Sequence, residues 1–443
     1  MHFYSTLSLA GAALWIDSLI LAATSFSVPT PSSNMPKPTG SNVEDQDDGK
    51  TKSAPSKWSQ RTAKRRKKTQ NILSSIDIPP FLFDHDSKDQ QHIEDLRVPT
   101  LDSPPLDWDS IDPLLDPQQG GKLKANSPRA KRKRAAIEAF TFVAKELLSV
   151  QHGLHGKGAY TQTYLDAGSG AGNLVIPLGG ILEQELLQTK QTLNMLAIDV
   201  NALALDRLYK RWQSRESNTP NKVTISTLCA DLAQISNLPK DTTGLFSLHA
   251  CGAATDMAIR IATSQNIPFI ISPCCIGKVT TQRIRKSYVQ DDLITSRDFV
   301  KGNILKSASF HRSAPPEDIT YPRSDWLHEQ LSRTTYALDT SHPSSTSKKP
   351  DDTILEKFSL LAKIADMGLG PQSSEEQKNH QRMAKEVVEL DRLMGAAENQ
   401  GYDVRLLKLK NHEGYGKKEL LLGAPIGSIA SKIFQQLPVV EIE

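Results

Sequence analysis

Between Thr163 and Ile176 the chain reads Thr-Tyr-Leu-Asp-Ala-Gly-Ser-Gly-Ala-Gly-Asn-Leu-Val-Ile. An extended apolar run ends in Asp166, three alternating glycines follow at Gly168, Gly170 and Gly172, and a helix-competent run comes next. Glycines in such a turn let a ligand lie against bare backbone, because no Cβ blocks the approach. The amides at the start of the following helix point at that ligand. The pattern therefore predicts a strand, a ligand-binding turn and a helix, in that order.

Spacing separates the cofactors. A dinucleotide turn uses G-x-G-x-x-G with an acid about 20 positions on. Here the pattern is D-x-G-x-G-x-G, and the next acid at a strand end is Asp199 in Leu-Ala-Ile-Asp-Val, 27 residues past Gly172. This resembles the S-adenosylmethionine (SAM) turn of class I methyltransferases. The resemblance implies that Asp166, Gly168, Gly170 and Gly172 hold the methionine end of SAM. It also implies that Asp199 takes the ribose hydroxyls and Asp231 the adenine amino group. For Asp231 an exposed turn aspartate is the equal alternative.

The pattern around this turn supports an α/β chain. Ile137, Phe140, Ala144, Leu147 and Leu148 recur at helical spacing. After the glycine turn, helix Leu174 to Leu187 leads to strand Leu193 to Val200, helix Ala202 to Trp212 and strand Lys222 to Leu228. Strand Gly244 to Leu248, helix Thr255 to Ser264 and strand Pro268 to Ser272 follow. Strands alternating with helices imply a parallel sheet covered on both faces, with ligands beyond the carboxyl ends of the strands. A last helix opens at Ser374 with Gln377 completing a capping box, and Gly401 ends it. Tyr402 to Leu409 and Glu419 to Gly423 then read as an antiparallel hairpin. The expected fold is a Rossmann-like class I methyltransferase, a mostly parallel seven-stranded sheet closed by that hairpin. That ending disfavours a nicotinamide oxidoreductase.

A second cluster sits at the ends of two neighbouring strands. One ends in Ser247-Leu-His-Ala-Cys-Gly-Ala-Ala-Thr-Asp256, the other in Ser272-Pro-Cys-Cys-Ile-Gly-Lys278. His249, Cys251, Cys274 and Cys275 should converge beside the methyl donor. Three readings stay open: they shape a substrate pocket with Pro273 and with Asp256 orienting a helix, His249 with Cys251 serves catalysis as a base or orienter, or imidazole and thiolate bind zinc. The pocket reading, without metal, is preferred. Cys274 and Cys275 are adjacent, and successive side chains of an extended strand point to opposite faces. A zinc deaminase is excluded because its H-x-E and P-C-x-x-C signatures are absent.

The paired motifs are similar to the methyltransferase-like domain of the glutathione S-transferase C-terminal domain-containing protein. They are also similar to the eukaryotic tRNA 2′-O-methyltransferases, although Ile276-Gly277 stands where two histidines follow in those enzymes. The resemblance covers roughly 131–300 and 375–425 and implies SAM as cofactor and RNA as acceptor. Protein methylation and a non-catalytic SAM-binding module are the alternatives.

Outside the core the charge is uneven, although the net charge is only +3. Residues 51–70 carry eight Lys or Arg and no acid, whereas 81–116 carry ten Asp or Glu against Lys88 and Arg97. Residues 122–134 are basic again. Segments 52–68 and 122–134 are the candidate RNA contacts. Residues 26–130 read as a mostly disordered charged arm, 131–278 as the SAM-binding core, 279–373 as an elaborated insertion, 374–425 as the closing helix and hairpin, and 426–443 as a tail. Within the insertion, Ser341 to Asp352 reads as a loop.

Residues 1–25 hold two short apolar runs broken by Asp17, which are too short for a membrane span. They read as a signal-like segment. Phe26 and the Ser/Thr/Pro-rich stretch after it resemble the bipartite plastid presequence of algae with secondary plastids. A mispredicted start codon is the alternative and implies cytoplasm or nucleus. Four cysteines, all within 229–275, exclude a secreted disulfide framework.

Overall fold

A nine-stranded sheet carries the site. The computed structural model describes residues 57–78, 91–93, 96–121, 123–155, 159–215, 222–248, 250–273, 275–276, 279, 319–334, 350–367, 369, 373–410 and 418–440. Residues 1–25, His249 and Cys274 lie outside these. Among the described residues no helix is long and apolar enough to cross a membrane.

Among the described residues the first elements are helix α1 (Lys57–Leu73) and short strands β1 (Asp77–Ile78), β2 (Gln91–His92) and β3 (Thr100–Leu101). Helix α2 (Pro128–His155) leads into β4 (Thr161–Ala167), α3 (Val175–Leu186), β5 (Thr192–Asp199), α4 (Ala202–Gln213) and β6 (Val223–Cys229). Then come β7 (Thr242–Ser247), α5 (Ala253–Ser264) and β8 (Phe269–Ile271). Helices α6 (Asp325–Arg333), α7 (Pro350–Ala365) and α8 (Glu375–Gln400) precede β9 (Tyr402–Leu409), β10 (Glu419–Pro425), α9 (Ile429–Gln436) and β11 (Val439–Val440).

The sheet order is β11-β3-β9-β10-β8-β7-β4-β5-β6. Strands β4 to β8 run parallel, and β10 is antiparallel to both β8 and β9. The seven expected strands are all present, in the order of a doubly wound sheet with a reversed hairpin. Two two-residue strands, β3 and β11, extend its edge beyond the expected seven.

Period-two alternation divides the interior into two cores. Leu165, Leu245, Ile271, Leu406 and Leu421 face one core, which α1, α5, α7 and α8 help to fill. Their neighbours Tyr164, Phe246, Ile270, Leu407 and Leu420 face the other, which holds Phe140 and Leu147 of α2 and Leu178 of α3. Successive side chains of a strand point to opposite faces, so one strand serves both cores. Asp166, two residues after Tyr164, belongs to the α2–α3 side. Glu419, two before Leu421, belongs to the α8 side.

The α8 boundaries follow the sequence signals. The Ser374 side chain accepts from the Gln377 amide at 3.2 Å, and Gly401 ends the helix at φ 65° in the left-handed region.

Three expectations need correction. The stretch read as a disordered arm contributes α1 and buries Ile72, Leu73, Ile76, Ile78, Ile93, Leu96, Val98 and Leu101. Ile72, Leu73, Ile76 and Ile78 do cluster within seven residues, but that short run lies between a basic stretch and an acidic one whose composition dominates the reading. The stretch read as a tail forms α9 and β11, with Phe434 and Leu437 buried. Pro350 to Asp352, read as the end of a loop, begins α7. Proline is favoured in the first turn of a helix.

Candidate active site

The glycine turn lies where β4 gives way to α3. The Gly168 and Ser169 amides donate to the Ile198 carbonyl at 2.8 and 3.1 Å, docking the turn on the end of β5. Gly168, Gly170 and Gly172 all adopt positive φ, at 75°, 54° and 79°. Two of these glycines do different work. A Cβ on Gly172 would lie 2.7 Å from Ile176 Cδ1 and Leu208 Cγ, so this glycine lets α3 and α4 close. A Cβ on Gly170 would meet nothing within 4 Å. That open direction is where a ligand can reach the backbone.

Asp199 ties the turn to the next helix. Its Oδ2 accepts from the Gly170 amide and its Oδ1 from the Asn201 amide, each at 2.8 Å. Asn201 caps α4, its side chain accepting from the Ala204 amide at 3.1 Å. Each carboxylate oxygen accepts more than one hydrogen bond, so Asp199 keeps capacity for a diol. Cys229 pairs with Asp199 in register across β5 and β6, and burial first, then the Asp199 charge, pushes its thiol pKa up.

Asp166 is buried, and its Oδ2 has no protein partner. Burial, and after it the Asp199 charge, pushes its carboxyl up to about 8, against the opposing pull of the Val175 amide and the Lys133 ammonium. A buried carboxylate oxygen without a partner is costly unless a ligand supplies one. A cationic amino group meets that need. Lys133, read as part of a solvent-facing basic run, is 7% exposed. Arg134 beside it donates to buried Asp116 at 2.7 and 3.1 Å and stacks over Trp108 at 5.2 Å. Neither residue could be told from its exposed neighbours by composition.

Asp231 caps a single 3-10 turn, Leu232–Gln234, accepting from the Ala233 amide at 2.9 Å.

The second cluster forms at the ends of β7 and β8. Ser247 donates to the Ala167 carbonyl at 2.6 Å, joining this edge to the glycine turn, and its oxygen accepts from the Ala250 amide at 3.3 Å. Gly252 stands at φ 62° and ψ −131°, a conformation that L side chains rarely adopt. Its amide donates to the Cys275 carbonyl at 2.8 Å, which brings the turns bearing Cys251 and Cys275 together. Both thiols are half-buried, and Pro273 is buried. Among the described residues no group of three or more His, Cys, Asp or Glu is placed to hold a metal.

Asp256, expected to orient a helix beside the substrate pocket, is buried in the first turn of α5. Its carboxylate accepts from Arg392 Nε and Nη2, each at 3.2 Å, and from the Tyr321 hydroxyl at 2.8 Å. The reason is distant in sequence: α8 packs on α5 and delivers a guanidinium to its first turn. Sequence periodicity marks Met383, Val387, Leu390 and Met394 as the buried face of α8, and they are buried. It gives no sign that Lys385, Glu386, Glu389, Asp391 and Arg392 are buried as well.

Sheet order, reversed hairpin, open glycine turn and the acid closing β5 are the features expected of a SAM-dependent methyltransferase domain. Residues 132–282 match the family model described as a methyltransferase domain. SAM is the cofactor of such a domain, and the unpartnered Asp166 oxygen and the open Gly170 direction fit its methionine end. The chain is 26% identical over 176 residues to the glutathione S-transferase C-terminal domain-containing protein of Bos taurus. That match covers 39% of this chain and only 23% of the relative. The likeness to the tRNA 2′-O-methyltransferases gains no support from these comparisons.

Solved structures to which the chain is similar include the DszA carbon methyltransferase, at 12% identity and a TM-score of 0.33, covering 72% of this chain and 62% of that one. Magnesium protoporphyrin IX methyltransferase from Synechocystis PCC 6803 with bound SAH is another, at 12% identity and a TM-score of 0.26, covering 66% of this chain and 86% of that one.

Proposed function

We propose that this chain methylates RNA, receiving the acceptor at the ends of β7 and β8. SAM supplies an electrophilic methyl group on a sulfonium. The chain's own part is alignment, since in-line displacement depends above all on placing donor and acceptor. Asp166 and the glycine turn would hold the methionine end, Asp199 the ribose and Asp231 the adenine. His249 and Cys251 are the groups proposed to orient or deprotonate the incoming nucleophile.

One observation favours RNA over other acceptors. Helix α1 buries Thr69, Ile72 and Leu73 at its C-terminal end, while Lys64, Arg65 and Lys67 are exposed, and the helix contains no acid. It is held to the core that also contains α7 and α8. A basic face fixed to a catalytic unit suits a polyanion, whose phosphates release counterions on binding. Segment 122–134 suits this less well, because Lys133 and Arg134 turn inward.

Labelled SAM offered with total RNA and with total protein tests the proposal. Label should enter RNA. Reversing charge at Lys64, Arg65 and Lys67 should cut RNA labelling and flatten its salt dependence while leaving SAM affinity intact. Label entering only protein, or a charge reversal without effect, would overturn the proposal.

A further inference from the structure

Arg392 is a buried guanidinium whose contacts reach far beyond its own helix. Its side chain is 1% exposed, and a charge so buried persists only when it is fully partnered. Nη1 donates to Glu389 Oε2 at 2.9 Å, and Nε and Nη2 donate to Asp256. Nη2 also donates to the Gly252 carbonyl at 3.0 Å. Burial works against its charge, but the Asp256 and Glu389 carboxylates more than offset this and hold its pKa raised.

The Gly252 contact gives the arrangement its direction. Gly252 donates its amide to the Cys275 carbonyl at 2.8 Å. A line of hydrogen bonds therefore runs from α8, through the turn after β7, to the turn after β8. The neighbouring residue on α8 looks elsewhere. Asp391 accepts from the Arg323 amide at 2.8 Å, the Ser324 amide at 2.9 Å and the Ser324 hydroxyl at 2.7 Å. Ser324 in turn caps α6, accepting from the Leu327 amide at 3.1 Å. Adjacent helical residues diverge by about 100°, so one helix turn grips two separate bodies. Tyr321, just before the α6 cap, closes the loop through its hydroxyl on Asp256.

We propose that Arg392 is a positioning residue for the acceptor side of the site. It fixes the Cys251–Gly252 turn against the Cys275 segment. Through Asp391 and Tyr321 it links that geometry to the insertion at residues 321–324. The inference rests on the acceptor being received at the ends of β7 and β8, and it does not depend on the acceptor's identity.

Cysteine labelling of the full chain tests this without an acceptor. The parent, Arg392→Lys and Tyr321→Phe would be treated with a maleimide, with and without SAM, and the modified cysteines mapped by mass. Cys229 is the internal control. It lies on the cofactor side, with its sulfur 3.7 Å from the Val200 carbonyl. Lysine keeps the charge but cannot form the guanidinium's fork of bonds. Arg392→Lys should speed labelling of Cys251 and Cys275 by about tenfold, with Cys229 and SAM affinity unchanged within about twofold.

A merely structural role would lower the melting temperature and leave labelling of the folded protein unchanged. No change at Cys251 and Cys275, or an equal rise at all three cysteines, would overturn the proposal. Should Arg392→Lys fail to fold, Tyr321→Phe is read by the same criteria, with an expected rise of about threefold because only one donor to Asp256 is lost. Failure of RNA labelling would leave this result standing, so the two proposals fail separately.

Discussion

The two halves of the site are held by opposite means. On the cofactor side, Asp166, the three glycines, Asp199 and Asn201 span 36 residues, and backbone amides make most of the bonds. On the acceptor side, Asp256 and Gly252 depend on Arg392, 136 and 140 residues away, through side chains buried in a charged layer. That layer continues along α8, where Lys385 pairs with Glu419, and Glu386 with Arg382 at 2.7 Å and Lys408 at 3.2 Å. A turn made of its own backbone tolerates change around it. A turn held by distant buried ions fails when one partner goes.

The largest expected effect follows from that difference. Arg392→Met leaves Asp256 and Glu389 buried without their cation, a change that costs on the order of 3–5 kcal/mol. Chemical denaturation should show the loss as a lower midpoint at unchanged slope. A loss below about 1 kcal/mol, typical of an exposed pair, would put the acceptor side on the same footing as the cofactor side. Arg333 with Glu329 on α6, whose side chains are 65% and 59% exposed, is the fitting comparison. Its removal should be nearly silent.

Asp199→Ala comes next. It removes the carboxylate that joins the Gly170 and Asn201 amides, together with the acceptor for the ribose hydroxyls. SAM affinity should fall by about 1–3 kcal/mol, read by calorimetry, with little change in Cys251 and Cys275 labelling. An unchanged dissociation constant would remove Asp199 from the site.

The smallest effect on SAM affinity is one of pH. Asp166 has a folded-state value of about 8 against its ordinary 3.8, so the ligand-free protein holds an extra proton between these values. Its stability should therefore fall as pH rises through that window, since the folded state binds more protons than the unfolded. An ammonium group beside Asp166 favours the carboxylate. SAM binding should release up to about one proton near neutral pH and tighten, by less than about tenfold per pH unit, as pH approaches 8. Calorimetry in buffers of different ionisation enthalpy reads this release. Proton uptake instead would contradict the placement of the amino group.

The same contrast explains what could be read from the sequence. The cofactor side is local: a strand end, alternating glycines and an acid closing the next strand are visible within one βαβ unit. Ser374 and Gly401 mark α8 for similar reasons, since caps act on neighbouring backbone. The Arg392 contacts are not legible, because an arginine on the interior face of a charged helix looks like any solvated one. Asp256 is legible as a residue that orients a helix, but its partners Arg392 and Tyr321, 136 and 65 residues away, are not. Lys133 and Arg134 sit in a run where six of the eight residues from Ser127 to Arg134 are polar or charged, and only packing reveals that they turn inward. The apolar residues of 72–101 lie between a basic run and an acidic one, so composition reads the stretch as solvated until the edge of the sheet and α8 receive them.

Calorimetric titration of SAM into the parent and into Gly170→Val tests the central assignment most directly, with circular dichroism confirming that both are folded. The open direction at Gly170 would be filled by a branched side chain, and its positive φ would be strained as well. The parent should bind one SAM per chain and the variant should lose at least about a hundredfold in affinity, the ratio for 2.7 kcal/mol. Equal affinity in a folded variant would show that the donor lies elsewhere and that this turn is only a turn.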